Sequence, residues 1–303
     1  MTSEARRRDY NGGPACGKVA AVMNVLSLQS RVAYGHVGNS AAVPALQRLG
    51  HQVWPVDTTL LSNHLGYATH GGRILAAAEV ADVADGLGKL GLFGRLDALL
   101  TGFLGHAAAV AADAAARLRA ESSAALYCLD PVMGERQGGL YVPATTAEAI
   151  AGLLVPQADL LLPNAFELDY LTGGQMRSLA EVLSAVESLR RRARPGAIVI
   201  ATGLDRDDGP PARIEALTAS DRGCWLAAVP RLSGPLHGAG DLFTAVFLGH
   251  YLGERNLPAA LIKAMDSAHA VFAGSIGQAE LALVANLDRL ADPPRVAKIE
   301  TLR

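Results

Sequence analysis

Residues 98–131 read ALLTGFLGHAAAVAADAAARLRAESSAALYCLDP. The apolar run 98–101 is followed by an alanine-rich stretch, 107–120, with helical character, and then by a second apolar run, 124–129, that ends in Asp130-Pro131. Strand, helix and strand in this order form the crossover unit of a parallel sheet. The same alternation extends in both directions. Upstream, 19–28 is a short apolar run bordered by Ser27, Gln29 and Ser30. Asn39 or Ser40 then caps an amphipathic stretch that reaches Leu49 and stops at Gly50, and 52–56 opens the next cycle. Downstream, 159–162 ends in Pro163-Asn164, 178–192 is helical and 197–202 is a further strand.

The pattern predicts an α/β fold: a mostly parallel central sheet flanked by helices on both faces, with ligands bound beyond the C-terminal ends of the strands. Segments 212–218 and 224–229, joined across 219–223, read as an antiparallel hairpin on the sheet edge, after which the chain becomes helical. Residues 205–211 and 292–294 read as turns. No long linker, low-complexity tract or fixed-period repeat appears, so one domain is expected over residues 18–303, with 1–17 as a disordered extension.

Composition narrows the function classes. A chain of 303 residues with 50% hydrophobic and 18% charged content buries a sizeable core without disulfides or metals. A formal net charge of -2 supplies no electrostatic footprint for nucleic acid or an anionic membrane. The arginine-bearing N-terminus has no apolar segment behind it, and no later stretch reaches 18 apolar residues, so a cytoplasmic protein is expected. Cys16, Cys128 and Cys224 lack CxxC spacing and read as buried thiols.

The strongest chemical signal is Leu236-His237-Gly238-Ala239-Gly240-Asp241, followed by an apolar helical stretch, 242–252. Two glycines let the chain turn sharply and present bare N–H groups at a helix N-terminus, where a transferring phosphoryl group is stabilised. Asp241, in the first turn, can accept the proton of an attacking hydroxyl, although the same residues also suit a tight turn with an ordinary capping aspartate. Asp130 and Glu167 stand just beyond successive strands, a placement that suits a hard divalent cation shared with nucleotide phosphates. A turn carboxylate before Pro131 and a first-turn glutamate after Asn164 are the plainer readings. Ser30 and the segment Ser62-Asn63-His64-Leu65-Gly66-Tyr67 fall on the same side, offering hydrogen bonds and a ring face to a small heteroaromatic ligand.

Other nucleotide and hydrolase signatures are missing. There is no GxxxxGK[ST] loop, no GxGxxG after the first strand, no GxSxG elbow and no HExxH, and the histidines show no metal-ligand spacing.

Taken in order, these residues resemble the pyridoxal kinase family of the ribokinase-like fold. The resemblance rests on Ser27-Leu28-Gln29-Ser30, on Tyr34-Gly35-His36-Val37-Gly38-Asn39-Ser40, on Ser62-Asn63-His64, on Asp130-Pro131-Val132-Met133-Gly134, on Pro163-Asn164-Ala165-Phe166-Glu167 and on Gly238-Ala239-Gly240-Asp241. It implies transfer of the ATP γ-phosphoryl group to the 5′-hydroxyl of pyridoxal, and of pyridoxine and pyridoxamine as well. Asp241 would be the base, with Gly238, Ala239 and Gly240 as the anion hole. Ser30, Leu65, Tyr67 and Tyr141 would meet the substrate. Asp130, Asn164, Glu167, Thr202 and the run Val229, Pro230, Arg231 and Leu232 would serve ATP, with Asp130 and Glu167 serving Mg²⁺ as well. Residues 134–142 match a flap that covers the site. The family is typically a cytoplasmic homodimer stimulated by K⁺. Leu65 departs from the pattern, standing where a ring-contacting threonine is common, and His237 has no counterpart role. A hydroxymethylpyrimidine kinase of the same fold, or a protein that sequesters pyridoxal phosphate, are the competing readings.

Overall fold

The computed structural model describes residues 22–234 and 237–302, so the expected N-terminal extension lies outside the described residues. Strand β1 (Asn24–Gln29) leads into α1 (Asn39–Arg48) and β2 (Gln52–Asp57), and a small antiparallel pair, β3 (Thr59–Leu61) and β4 (Gly72–Ile74), follows. Helix α2 (Ala77–Lys89) precedes β5 (Ala98–Thr101), and α3 (Ala108–Glu121) precedes β6 (Leu126–Leu129). A second small hairpin, β7 (Gly134–Glu135) and β8 (Gly139–Leu140), gives way to α4 (Ala144–Ala149) and β9 (Leu160–Leu161). Then come α5 (Ala165–Thr172), α6 (Leu179–Arg192), β10 (Ile198–Leu204), the hairpin β11 (Arg213–Ser220) and β12 (Gly223–Pro230), α7 (Ala239–Glu254), α8 (Leu257–Ser275), α9 (Asp288–Ala291) and β13 (Lys298–Thr301).

Among the described residues the main sheet has nine strands in the order β13-β12-β11-β10-β9-β6-β5-β1-β2, parallel from β2 to β10 and antiparallel beyond. From β1 the chain steps outward to β2, then returns to lay β5 on the other side of β1. Helix α1 packs on one face with α7 and α8, whereas α2, α3 and α6 pack on the other. Connections therefore diverge at β1 and β5, and the crevice beyond their C-terminal ends is where such a sheet binds ligands.

The residues explain these layers. All four residues of β5 are buried because helices cover both sides, which is why its sequence shows no alternation. In α3 the buried positions Ala108, Ala111, Ala114, Ala115 and Leu118 form one stripe, and the small side chains bring the helix close to the sheet. Helix α7 is buried from Leu242 to Leu252 on every side, since it runs between the sheet and its neighbours α1 and α8. Cys128 and Cys224 are buried thiols, and Cys16 lies outside the described residues.

One expectation is corrected. The β11–β12 hairpin is not the sheet edge, because β13 pairs antiparallel with β12 from Trp225↔Thr301 to Ala228↔Lys298. All four β13 residues are exposed and only Ile299 is apolar, so no periodic signal marks the strand. It forms because the open side of β12 offers backbone partners, with Leu302 donating to the Cys224 carbonyl at 2.8 Å just beyond. Among the described residues, no helix is long and apolar enough to cross a membrane.

Candidate active site

The N-terminus of α7 is built on a backbone contact. Gly238 has φ +82°, and a Cβ there would lie 1.8 Å from the His36 carbonyl oxygen, so only glycine lets the two loops approach. The first α-helical bond runs from the Leu242 amide to the Gly238 carbonyl at 2.9 Å, which leaves the amides of Ala239, Gly240 and Asp241 ahead of the helical ladder. Asp241 is half-buried beside them and accepts a hydrogen bond from the Gly38 backbone. Burial raises its carboxyl above the ordinary aspartate range, and the Gly38 bond opposes that rise.

Three residues further along α7, the Thr244 hydroxyl donates to Oδ2 of Asp130 at 2.8 Å and pins the helix to the end of β6. Asp130 is buried, and desolvation with repulsion from Asp241 pushes its carboxyl up to about 8. Glu167 starts α5 in a capping box: its amide donates to Asn164 Oδ1 at 2.9 Å, and the Asn164 amide returns a bond to Glu167 Oε2 at 2.8 Å. The other oxygen, Oε1, accepts from the Met133 amide at 3.1 Å, so backbone donors orient both. Burial and Asp130 nevertheless raise Glu167 well above its usual value. Asn164 also donates to the Gly134 carbonyl at 2.9 Å and bridges to Thr202, whose amide donates to Pro163. A bulge in β10 between Ala201 and Leu204, with Gly203 left-handed at φ +61°, ends regular pairing beside Thr202.

At the opposite end, Ser30 follows β1 and its carbonyl accepts from the Asn39 amide at 2.6 Å. The Asn39 side chain lies in a buried network: its Oδ1 accepts from Ser27 at 2.7 Å, its Nδ2 donates to Asp57 at 2.8 Å, and Gln29 donates to the Ser27 hydroxyl at 2.8 Å. Ser27, Gln29 and Asn39 thus support the loop that carries Ser30. Tyr141 follows the β7–β8 hairpin at the rim, about half exposed, where desolvation and the carboxylates Glu167, Asp241, Asp130 and Glu135 raise its phenol above the ordinary tyrosine range.

A cleft of about 930 Å³ joins these parts. Every residue expected to serve catalysis, substrate or nucleotide lines it except Tyr67, whose hydroxyl instead donates to Glu280 Oε1 at 2.7 Å. Sequence reading missed Glu280, Thr244 and Phe103. Glu280 stands 213 residues from Tyr67 in no motif, and Thr244 was passed over within an apolar helix. His237 is exposed, yet its ring lies 4.3 Å from that of His64 and both line the cleft. Asp130 and Glu167 fit Mg²⁺, since two close buried carboxylates with raised pKa values are relieved by a cation. Among the described residues no group of three or more His, Cys, Asp or Glu side chains is placed to hold a metal ion.

A helix terminus with unpaired amides suited to an anion, with its own carboxylate, in a cleft roomy enough for a nucleotide and a small alcohol, is the arrangement of a small-molecule kinase on the ribokinase-like fold. The family model for phosphomethylpyrimidine kinase matches residues 93–280. Pyridoxal kinase PdxY of Rubrobacter xylanophilus is 42% identical over 276 residues, covering 90% of this chain and 95% of that protein. The PdxY of Deinococcus radiodurans is 40% identical, covering 86% and 91%. Among solved structures, the pyridoxal kinase of Leishmania donovani in complex with ADP and pyridoxamine superposes with a TM-score of 0.86 at 28% identity, covering 92% of this chain and 99% of that one. The chain belongs to the pyridoxal kinase family, within the wider group that the phosphomethylpyrimidine kinase model describes.

Proposed function

We propose that the protein transfers the γ-phosphoryl group of ATP to the 5′-hydroxyl of pyridoxal, giving pyridoxal 5′-phosphate, and accepts pyridoxine and pyridoxamine in the same way. The observation that carries this reading is Asp241 in the first turn of α7, beside amides that no helical bond consumes. Asp241 takes the proton of the attacking hydroxyl as the oxygen closes on phosphorus. The amides of Ala239 and Gly240 then stabilise the charge spread over the phosphoryl oxygens. Thr244 holds Asp130 in place, and the capping box holds Glu167. Mg²⁺ held by these two carboxylates would neutralise phosphate charge. The β7–β8 hairpin, with Tyr141, closes the site against water. Val229, Pro230, Arg231 and Leu232, with Thr202, line the nucleotide end. The reading extends to a cytoplasmic homodimer stimulated by K⁺, as the family resemblance implies.

The leading test is incubation with Mg-ATP and, separately, pyridoxal, pyridoxine, pyridoxamine, hydroxymethylpyrimidine and ribose, with products weighed by mass spectrometry. Pyridoxal phosphate as the dominant product is expected. Phosphorylation of hydroxymethylpyrimidine alone would transfer the site to the second reading, against which the Gln29-Ser30 and Ser62-Asn63-His64 motifs speak. A protein that binds pyridoxal phosphate without turnover would be a sequestering one.

The metal assignment makes its own prediction. Asp130→Asn removes one charge while leaving an oxygen for Thr244, so the Mg²⁺ concentration for half-maximal rate should rise about tenfold or more. The KM for pyridoxal should hold. A metal titration at fixed ATP decides it, and an unchanged midpoint would remove Asp130 from the cation site.

A further inference from the structure

Glu280, in the segment after α8, is joined to three loops at the substrate end of the cleft. Its Oε1 accepts from the Tyr67 hydroxyl at 2.7 Å and from His64 Nε2 at 3.1 Å, and its Oε2 accepts from the His36 amide at 3.3 Å. Gly35 leaves the space for it, since a Cβ there would stand 2.4 Å from Oε2. The Gly66 amide donates to His64 Nδ1 at 3.1 Å, so that nitrogen carries no proton and the imidazole presents Nε2–H to the carboxylate. Both ring nitrogens are thereby committed, and the ring plane is fixed.

That plane belongs to a run of rings. Tyr34 lies 6.2 Å from Tyr67, Tyr67 lies 4.7 Å from His64, and His64 lies 4.3 Å from His237. The last two line the cleft, and His237 immediately precedes the Gly238 turn. Leu65, beside His64, offers no hydrogen bond, so fixed ring faces are what this chain presents to a flat heteroaromatic substrate.

We infer that Glu280 is a positioning residue for the alcohol substrate: it orients His64 and Tyr67 so that the His64–His237 pair forms the wall against which the substrate ring lies. The inference rests on the kinase reading for its choice of substrate. A carboxylate that served only to stabilise the fold would affect both substrates alike; one that sets the ring wall affects the alcohol and spares the nucleotide.

The test compares Glu280→Ala, Glu280→Gln and Tyr67→Phe with the unmodified protein, reading KM for pyridoxal and for ATP from turnover and Kd for pyridoxal from calorimetry. Glu280→Ala leaves three donors, the Tyr67 hydroxyl, His64 Nε2 and the His36 amide, without an acceptor and should raise the pyridoxal KM and Kd on the order of tenfold, with the ATP KM unchanged. Glu280→Gln keeps an acceptor oxygen for Tyr67 and His64 and should restore most of the affinity. Tyr67→Phe should raise the pyridoxal KM a few-fold, and it keeps the test open if the alanine variant fails to fold. The inference is overturned if both KM values rise together, or if folded variants bind pyridoxal as the unmodified protein does. Unmodified protein that binds pyridoxal without phosphorylating it refutes the kinase reading alone, with Glu280 still judged by Kd. Unmodified protein that does not bind pyridoxal refutes both.

Discussion

Asp241→Asn should lower kcat by about 10³-fold while the Kd values for ATP and pyridoxal stay within a few-fold of the original. The substitution keeps the size of the side chain and an oxygen to accept the Gly38 bond, so the α7 terminus keeps its place. What it removes is the proton acceptor. Burial holds the Asp241 carboxyl above the ordinary range, which makes it a better base near neutral pH than an exposed aspartate. It also sits in the first turn beside the amides of Ala239 and Gly240, so in the proposed mechanism proton removal and charge stabilisation act on the same transfer. Loss of turnover with binding retained, measured by single-turnover kinetics and calorimetry, assigns the chemistry to this carboxylate. Turnover that survives would mean that another group takes the proton. Asp130 is no ready substitute: its carboxyl is buried and tied to Thr244.

Much of this is legible in the sequence. The 98–131 unit fixes parallel strands because an apolar strand, an alanine-striped helix and an apolar strand have few other ways to pack. Asp130, Asn164, Glu167, Thr202 and Asp241 were readable because strand ends and a glycine turn bring them to one side of the sheet, and all of them line one cleft. Tyr67 alone among the expected residues does not line the cleft, for an equally physical reason. Its distance along the chain from Ser62 says that it lies in the substrate loop, but only tertiary packing brings Glu280 within reach of its hydroxyl. The β13 strand escaped notice because backbone pairing alone makes it, and its exposed residues carry no periodicity. Ser27 and Gln29 read as polar residues at the end of the first apolar run and Asn39 as a helix cap, while the structure puts all three in a buried network beneath the loop that carries Ser30. Sequence patterns report which residues are constrained, and coordinates distinguish those that face a ligand from those that hold them there.

The two glycines of the α7 turn should fail in different ways. At Gly238, φ is +82° and an added Cβ would meet the His36 carbonyl oxygen at 1.8 Å, a clash with main chain that no side-chain rotation relieves. Gly238→Ala must therefore displace either the helix terminus or the loop around His36, whose amide is itself held by Glu280. The ligand-free protein should lose thermal stability, and kcat should fall by about 10²-fold or more as the amides move off the transferring group. Gly240 is helical, and its Cβ would meet nothing within 4 Å. An alanine there suits a helix better than glycine, so Gly240→Ala should leave Tm unchanged or slightly raised. Its open space is the mouth of the cleft, where phosphate must come close to bare backbone, so the cost should appear as a higher KM for ATP. Thermal denaturation without ligand, set beside steady-state kinetics, separates the two. A Gly240→Ala protein with wild-type ATP kinetics would show that phosphate does not approach that amide, and the anion hole would then have to be drawn from Gly238 and Ala239 alone.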